Sequence, residues 1–313
     1  MYSGGATAAP SRIAMPRHLV KSDATGMTIR APVSGEIMAQ AVRAPKAPSM
    51  SRRWAQAFDD VASGAGAWRM WLLLGMNDIR QRYRRSRIGQ FWITLAMATT
   101  IVSLGVLYAY LFKMPAAEYL PYLGVSFIVW GLISNIITDS CSVFIGAEAY
   151  IRQAPMPKSV FVHRMLVRNV VIFLHNLVIL PPLLMVFGVP VSWTLLLAPA
   201  GIALIIFNGV WLGLLLGALC ARFRDLPQII ASLMQVVFYV TPVMWRSTQL
   251  PPKIAGLASL NPFESFLDIV RDPLLGAAPP ALAWGIAIGV TVCGSAVAAV
   301  LFARFRARIV YWL

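Results

Sequence analysis

Apolar residues along this chain gather into six runs, separated by stretches where Arg, Pro, Asn and Asp concentrate. The runs are roughly Phe91 to Phe112, Tyr119 to Ile145, Val160 to Phe187, Trp193 to Leu219, Ile229 to Met244 and Ala281 to Phe302. A hydrocarbon layer of about 30 Å needs about 20 helical residues at 1.5 Å rise each, so the pattern predicts an all-α integral membrane protein with six transmembrane helices. The fifth run is short. Asp225 followed by Gln228 reads as a helix N-cap with its capping-box partner, and Pro227 is tolerated in a first turn, which predicts a start near Leu226.

Two other segments carry helical spacing without spanning length. Trp68, Leu72, Met76, Ile79 and Tyr83 fall on one face while Arg80, Arg84 and Arg87 share another, which predicts an N-terminal amphipathic interfacial helix over residues 68–89. Its Trp would sink among headgroups and its Arg side chains would face phosphates. Between the fifth and sixth runs, Phe263, Phe266, Leu267, Val270 and Leu274 recur beside Glu264, Asp268 and Asp272. Asn261 is expected to cap this helix with Pro262 as its first residue. It is too short to cross, so it reads as an external amphipathic or re-entrant segment. Its acidic series reads as a wetted face rather than as the carboxylates of an embedded transferase.

Composition agrees with the spans. The chain has 313 residues, 58% hydrophobic and 12% charged, far from the soluble average of about 25% charged. Of its 27 Lys and Arg, 23 fall on the side of the membrane that carries both termini, and Lys113, Arg246, Lys253 and Arg271 fall on the other. By the positive-inside rule both termini are expected in the cytoplasm. The formal net charge of +15 is then the counterpart of an anionic phospholipid leaflet, not of nucleic acid. Residues 1–60 are rich in Ala, Pro, Ser and Arg without apolar periodicity and read as a disordered basic cytoplasmic tail. An organellar transit peptide would also be basic and poor in acids, and a further alternative is that translation starts at Met50.

Candidate chemistry is sparse. Cys141, Cys220 and Cys293 lie inside apolar runs and imply no disulfide. No metal-site or nucleophile motif surrounds His18, His163 or His175, and none of the five lysines follows a glycine, so a Walker A loop is absent. Any ATP and Mg used must be bound by another chain. Intramembrane polar residues say more. Gln228, Ser232, Gln235 and Tyr239 form one stripe down the fifth helix, and Asn135, Asp139 and Ser142 form a shorter one on the second. Each is either helix-to-helix hydrogen bonding or the wall of a hydrophilic path. The longer stripe favours a path and the shorter one favours packing. Gly209, Gly213 and Gly217 on the fourth helix, with Gly285 and Gly289 on the sixth, predict close backbone approach, within the subunit or across a dimer.

The run Asp78-Ile79-Arg80-Gln81-Arg82-Tyr83-Arg84-Arg85-Ser86-Arg87-Ile88-Gly89-Gln90-Phe91-Trp92 resembles the motif that leads into the first span of ABC type-2 exporter permeases of the polysaccharide branch, which handles O-antigen, capsule and teichoic acid. The resemblance covers residues 68–313, so that 90–313 would be the six-span permease domain. It departs from the family at Met97, where a proline is frequent, and in the N-terminal sixty residues. It implies an interfacial entrance at Arg80, Arg82, Tyr83, Arg84, Gly89 and Trp92. Glu148, Tyr150, Arg152, Pro155, Pro157 and Lys158, with Arg222, Arg224 and Asp225, resemble the family's two contacts with its ATPase. Asn261, Pro262, Phe263 and Arg271 resemble its external gate. The implied assembly is a homodimer with two separate ATPase subunits, moving a lipid-linked polysaccharide out through the bacterial inner membrane. Tyr108, Tyr110 and Trp130 would join the stripe along that path, although aromatics also form interfacial belts. Other readings are a drug or small-lipid exporter of the same superfamily, an embedded transferase and a passive channel.

Overall fold

The computed structural model describes residues 49–84, 89, 91–249, 251, 256 and 258–313. Residues 1–48 of the expected tail lie outside the described residues, as do Arg85 to Ile88, Gln90 and the side chain of Tyr83. Among the described residues the secondary structure is helical, with no strand. In chain order the helices are α1 (Met50–Gly66), α2 (Trp68–Tyr83), α3 (Phe91–Leu111), α4 (Ala116–Ser142), α5 (Glu148–Gln153) and α6 (Ser159–Leu177). There follow α7 (Leu180–Val186), α8 (Ala198–Arg222), α9 (Leu226–Val240), α10 (Pro262–Leu274), α11 (Ala281–Phe305) and α12 (Ile309–Trp312).

Among the described residues five segments are long and apolar enough to cross a membrane: α3, α4, α6 with α7, α8 with the turn before it, and α11 with α12. They make this a multi-pass membrane protein. α4 is the central one, since most of its length is buried, whereas α3 leaves most of its surface open. α4 packs against α8, α6 and α3. The third apolar run is not one straight helix. Pro181 and Pro182 cannot donate to the carbonyls of Leu177 and Val178, so α6 stops there and α7 resumes after a turn.

The fifth run differs from expectation at both ends. Asp225 lies in the helical region without a capping bond, so the expected N-cap is absent, although the helix does begin at Leu226. It stops at Val240 because Thr241 precedes Pro242 and is driven to an extended conformation. Its 15 residues reach about 22 Å. The chain then turns into α10, where Asn261 accepts from the N–H of Phe263 at 2.9 Å and donates to Thr241 Oγ1 at 3.1 Å. The Asn261 cap and the Pro262 start therefore stand as read from the sequence. α10 does not lie on an outer surface, however. Phe266, Leu267, Ile269 and Val270 are buried, and the helix is packed among α4, α8 and α11.

Residues 50–60, read as part of a disordered tail, are helical in α1. The apolar positions Trp54, Ala57 and Val61 share a face, but intervening Arg and Asp dilute the signal. The expected apolar face of the next helix, α2, divides between the protein interior and the outside. Ile79 is 2% exposed and Gly75 lies against Val167, whereas Trp68 and Leu72 face outward.

The glycine repeats divide. A Cβ on Gly209, Gly213 or Gly217 would fall 2.3, 2.5 and 2.4 Å from Leu166, Val162 and Val143, so this stripe seats α8 on α6 and α4. On Gly285 and Gly289 it would meet nothing among the described residues. Gly213→Val is therefore expected to destabilise the monomeric, detergent-solubilised protein by about 1–3 kcal/mol, read as a lowered melting temperature, while Gly289→Ala leaves it unchanged. An equal loss in both would refute this division of the two stripes.

Candidate functional site

Three groups of residues stand out, at one end of the bundle, along α9 and at the other end. At the first end, α5 exposes a Glu148–Arg152 pair at 2.9 Å. Tyr150 is half exposed, with the Arg164 guanidinium 5.5 Å from its ring centre. Pro155 is exposed and the chain bends tightly there, the N–H of Met156 bonding to the carbonyl of Ala154. Lys158 departs from the expected surface role, being 9% exposed. Burial and the nearby Arg306 hold its ammonium below the usual lysine range, against the opposing pull of Asp60. Arg222, Arg224 and Asp225 are exposed. The chain's last residues join these two stretches. α12 touches both α5 and α8, Arg222 stacks 5.3 Å from the Trp312 ring centre, and Arg224 reaches the carbonyls of Trp312 and Leu313 at 3.4 and 3.3 Å.

Acid–base pairs tie this end together in ways the sequence reading missed. Asp78 accepts a bidentate pair from Arg164 at 2.6 and 2.7 Å, pinning α2 to α6. Asp139 accepts from Arg168 at 2.7 Å and Asn169 at 3.0 Å. Of the shorter polar stripe, Asp139 thus bonds helix to helix, whereas Asn135 and Ser142 are exposed and Ser142 turns back on the Asp139 carbonyl. Arg80, Arg82, Arg84 and Trp92 are exposed, and Gly89 takes φ +62°, a conformation that suits glycine where the chain turns into α3.

Along α9 the long stripe is open. Gln228, Ser232, Gln235 and Tyr239 are all exposed, whereas Met234 and Phe238 on the other face pack into the core. Among the described residues the stripe therefore bonds to no neighbouring helix. Ser232 turns back on the Gln228 carbonyl at 3.0 Å. Trp130 departs from the expected path-lining role. It is 7% exposed, with its ring 5.7 Å from Phe238 and 5.9 Å from Phe263, and so supports α9 from behind. Tyr108 stacks on Phe112, while Tyr110 is 82% exposed at the far end of α3.

At the opposite end, the acidic series of α10 is not a wetted face. Glu264 is 3% exposed and Arg271 5%, with Asp268 and Asp272 half-buried beside them. The Arg271 guanidinium donates to the Tyr122 hydroxyl at 2.8 Å, Ser126 Oγ at 3.3 Å, the Pro242 carbonyl at 2.7 Å and the Asp268 carboxylate. Tyr122 in turn donates toward the carbonyls of Pro242 and Trp245, and Tyr119 donates to that of Met244. The signal in the sequence was the i, i+3 pair Asp268–Arg271. The core partners on α4 lie about 150 residues away and leave no local trace.

Burial, reinforced by Asp268, pushes the Glu264 carboxyl up to about 7, and the same two causes push Asp272 up to about 6. Folded protein thus holds these protons to higher pH than unfolded protein does, and stability is expected to fall as pH rises from about 4.5 to 7. Melting temperature should decline across that window in detergent, and Glu264→Gln should flatten the decline and stabilise the protein at pH 8 by on the order of 2 kcal/mol. A wild-type profile that rises with pH, or a variant profile parallel to it, would refute the assignment.

The ABC-2 type transporter family matches residues 70–275. Among curated proteins, the chain is 25% identical over 202 residues to an O-antigen export system permease protein RfbA of Klebsiella pneumoniae, covering 62% of this chain and 76% of that one. A protein of the same name from Myxococcus xanthus is 22% identical over 196 residues, covering 62% and 75%. The matched family region holds α3, α4, α6, α8, α9 and α10, and with them the open stripe and the buried Arg271 cluster. The chain belongs to the ABC-2 type transporter family.

Proposed function

We propose that this protein is the membrane subunit of an ATP-driven exporter that moves a lipid-linked polysaccharide, an O-antigen, capsule or similar glycan, across the bacterial inner membrane. The observation that carries this reading is the exposed stripe of Gln228, Ser232, Gln235 and Tyr239 on a helix whose other face is core. Polar groups at that depth are expensive against lipid. A glycan needs both hydrogen-bonding groups and an aromatic face, and the stripe offers both. The relatives named for O-antigen export support the substrate class.

In this reading two copies meet with their α9 stripes toward a shared path, and the open Gly285–Gly289 face is available to the second copy. The chain crosses six times, with α9 and the turn after it as the fifth crossing, and both termini lie in the cytoplasm, in line with the distribution of Lys and Arg. Trp68 and the exposed Arg80, Arg82 and Arg84 of α2 sit at the anionic phospholipid surface. ATP and Mg are bound by two copies of a separate ATPase subunit. It docks on Glu148, Tyr150, Arg152, Pro155 and Pro157 together with Arg222, Arg224 and Asp225. Asn261, Pro262, Phe263 and Arg271 form the outer gate.

Loss of the chain is expected to trap lipid-linked polysaccharide inside the cell, and Ser232→Trp to reproduce that block while folding and ATPase binding persist. Normal export by Ser232→Trp, with cysteines at positions 232 and 235 inaccessible to water-soluble thiol reagents in every nucleotide state, would overturn the path. For the docking surface, Pro155→Ala with Arg224→Ala should lower ATPase stimulation in the assembled complex by at least about fivefold. Unchanged stimulation would exclude this surface.

A further inference from the structure

We propose that Asp60 is a positioning residue for coupling: its carboxylate fixes the end of the Glu148–Lys158 loop to α1 and to the end of α11. The inference rests on the docking reading above and adds a part of the molecule which that reading does not use.

The loop ends where α6 begins, at Ser159. The first N–H groups of a helix have no intrahelical partner, and α6 has no side-chain cap from its own N-cap residue, Lys158. The missing acceptor comes from α1. The side chain of Asp60 is fully buried, and its Oδ1 accepts from the Ser159 N–H at 3.0 Å and lies 3.0 Å from the Ser159 hydroxyl. A carboxylate in that position also meets the positive end of the α6 dipole. The other oxygen, Oδ2, accepts from Arg306 Nε at 2.6 Å, just past the last residue of α11. One carboxylate therefore joins three helices that are remote in sequence.

The surroundings are built around that contact. A Cβ on Gly64 would fall 1.9 Å from Ser159 Oγ, so α1 approaches α6 at a distance only glycine allows. Lys158 is buried beside the same carboxylate, and its lowered pKa reflects burial and the Arg306 charge, with Asp60 in opposition. Beyond Arg306 the chain runs into α12, whose Trp312 stacks on Arg222 and whose final carbonyls meet Arg224. A push on the loop at Pro155 or Pro157 thus meets Asp60 first. Through Arg306 it reaches α11 and the second docking stretch. Without the carboxylate, the end of the loop would shift without carrying α11.

The test uses Asp60→Asn, which keeps the side chain's size but gives up the charge that holds Arg306. Ser159→Ala is a milder second variant should Asp60→Asn fold poorly, and Arg306→Lys retains the charge. In the detergent-solubilised protein, amide exchange across residues 148–160 is expected to quicken at least about threefold in Asp60→Asn. In the complex with its ATPase, glycan exported per ATP hydrolysed should fall at least about fivefold, with ATPase retention and hydrolysis within about twofold of the parent. Arg306→Lys should keep at least half of the parent's coupling. Unchanged amide exchange, or export per ATP that stays at the parental value in both Asp60→Asn and Ser159→Ala, would overturn the proposal. Equal losses of export and ATPase retention would reduce Asp60 to a structural contact and overturn it as well. A parent protein that retains no ATPase while Asp60→Asn still quickens exchange would sink the docking reading instead, leaving Asp60 as the anchor of the loop alone.

Discussion

Proline 242 sets the main constraint on this molecule. It ends α9 short of a full crossing and leaves carbonyls at Pro242, Met244 and Trp245 that no helix satisfies. In a region poor in water such groups are costly unless protein supplies donors. Here Tyr119 and Tyr122 on α4 and Arg271 on α10 supply them. Recruiting Arg271 has a further consequence, because a guanidinium that is 5% exposed must be paired. Asp268 lies within hydrogen-bonding reach and Asp272 at 3.8 Å, so the acids of α10 are drawn inward with it. The break in α9, the burial of α10 and the raised carboxyl pKa values are linked through the one proline that drives Thr241 out of the helix.

The cost of gathering Glu264, Asp268 and Asp272 around one arginine explains why this end is sensitive to protons. Both Glu264 and Asp272 hold their protons to higher pH than an ordinary carboxyl, and burial is the first cause for each. Arg271 offsets that cost only in part. Packing of this kind is a poor source of stability, the more so because Glu264 Oε2 and Arg271 Nε are buried with no hydrogen-bond partner among the described residues.

Much of the fold was legible because membrane crossing leaves a long, simple signal. Run length located the crossing helices, and the Asn261–Pro262 pair located the start of α10 through capping chemistry that acts over two residues. What escaped the sequence is what depends on distant partners. Asp60 is bonded to residues 99 and 246 positions away, and its helix has too few apolar residues to stand out among the Arg and Asp around it. The acids of α10 have the same spacing whether they face water or a buried arginine, so periodicity alone cannot separate the cases. Trp130 looked like a sugar platform because aromatic residue type is shared by paths, belts and cores. Only its neighbours Phe238 and Phe263 decide for the core. The stripe on α9 was the opposite case, since its spacing was plain and the structure supplied the missing fact that, among the described residues, no helix covers it.

That stripe lies on a helix held at both ends. At its start, α9 is separated from α8 by only Phe223 to Asp225, and the carbonyls at the chain's end hold Arg224. At its finish, Thr241 is tied to Asn261, and the Pro242 carbonyl to Arg271. The helix between these two junctions is internally hydrogen bonded. The polar face and the buried charge cluster are therefore joined by one continuous helix and the bonds at its finish.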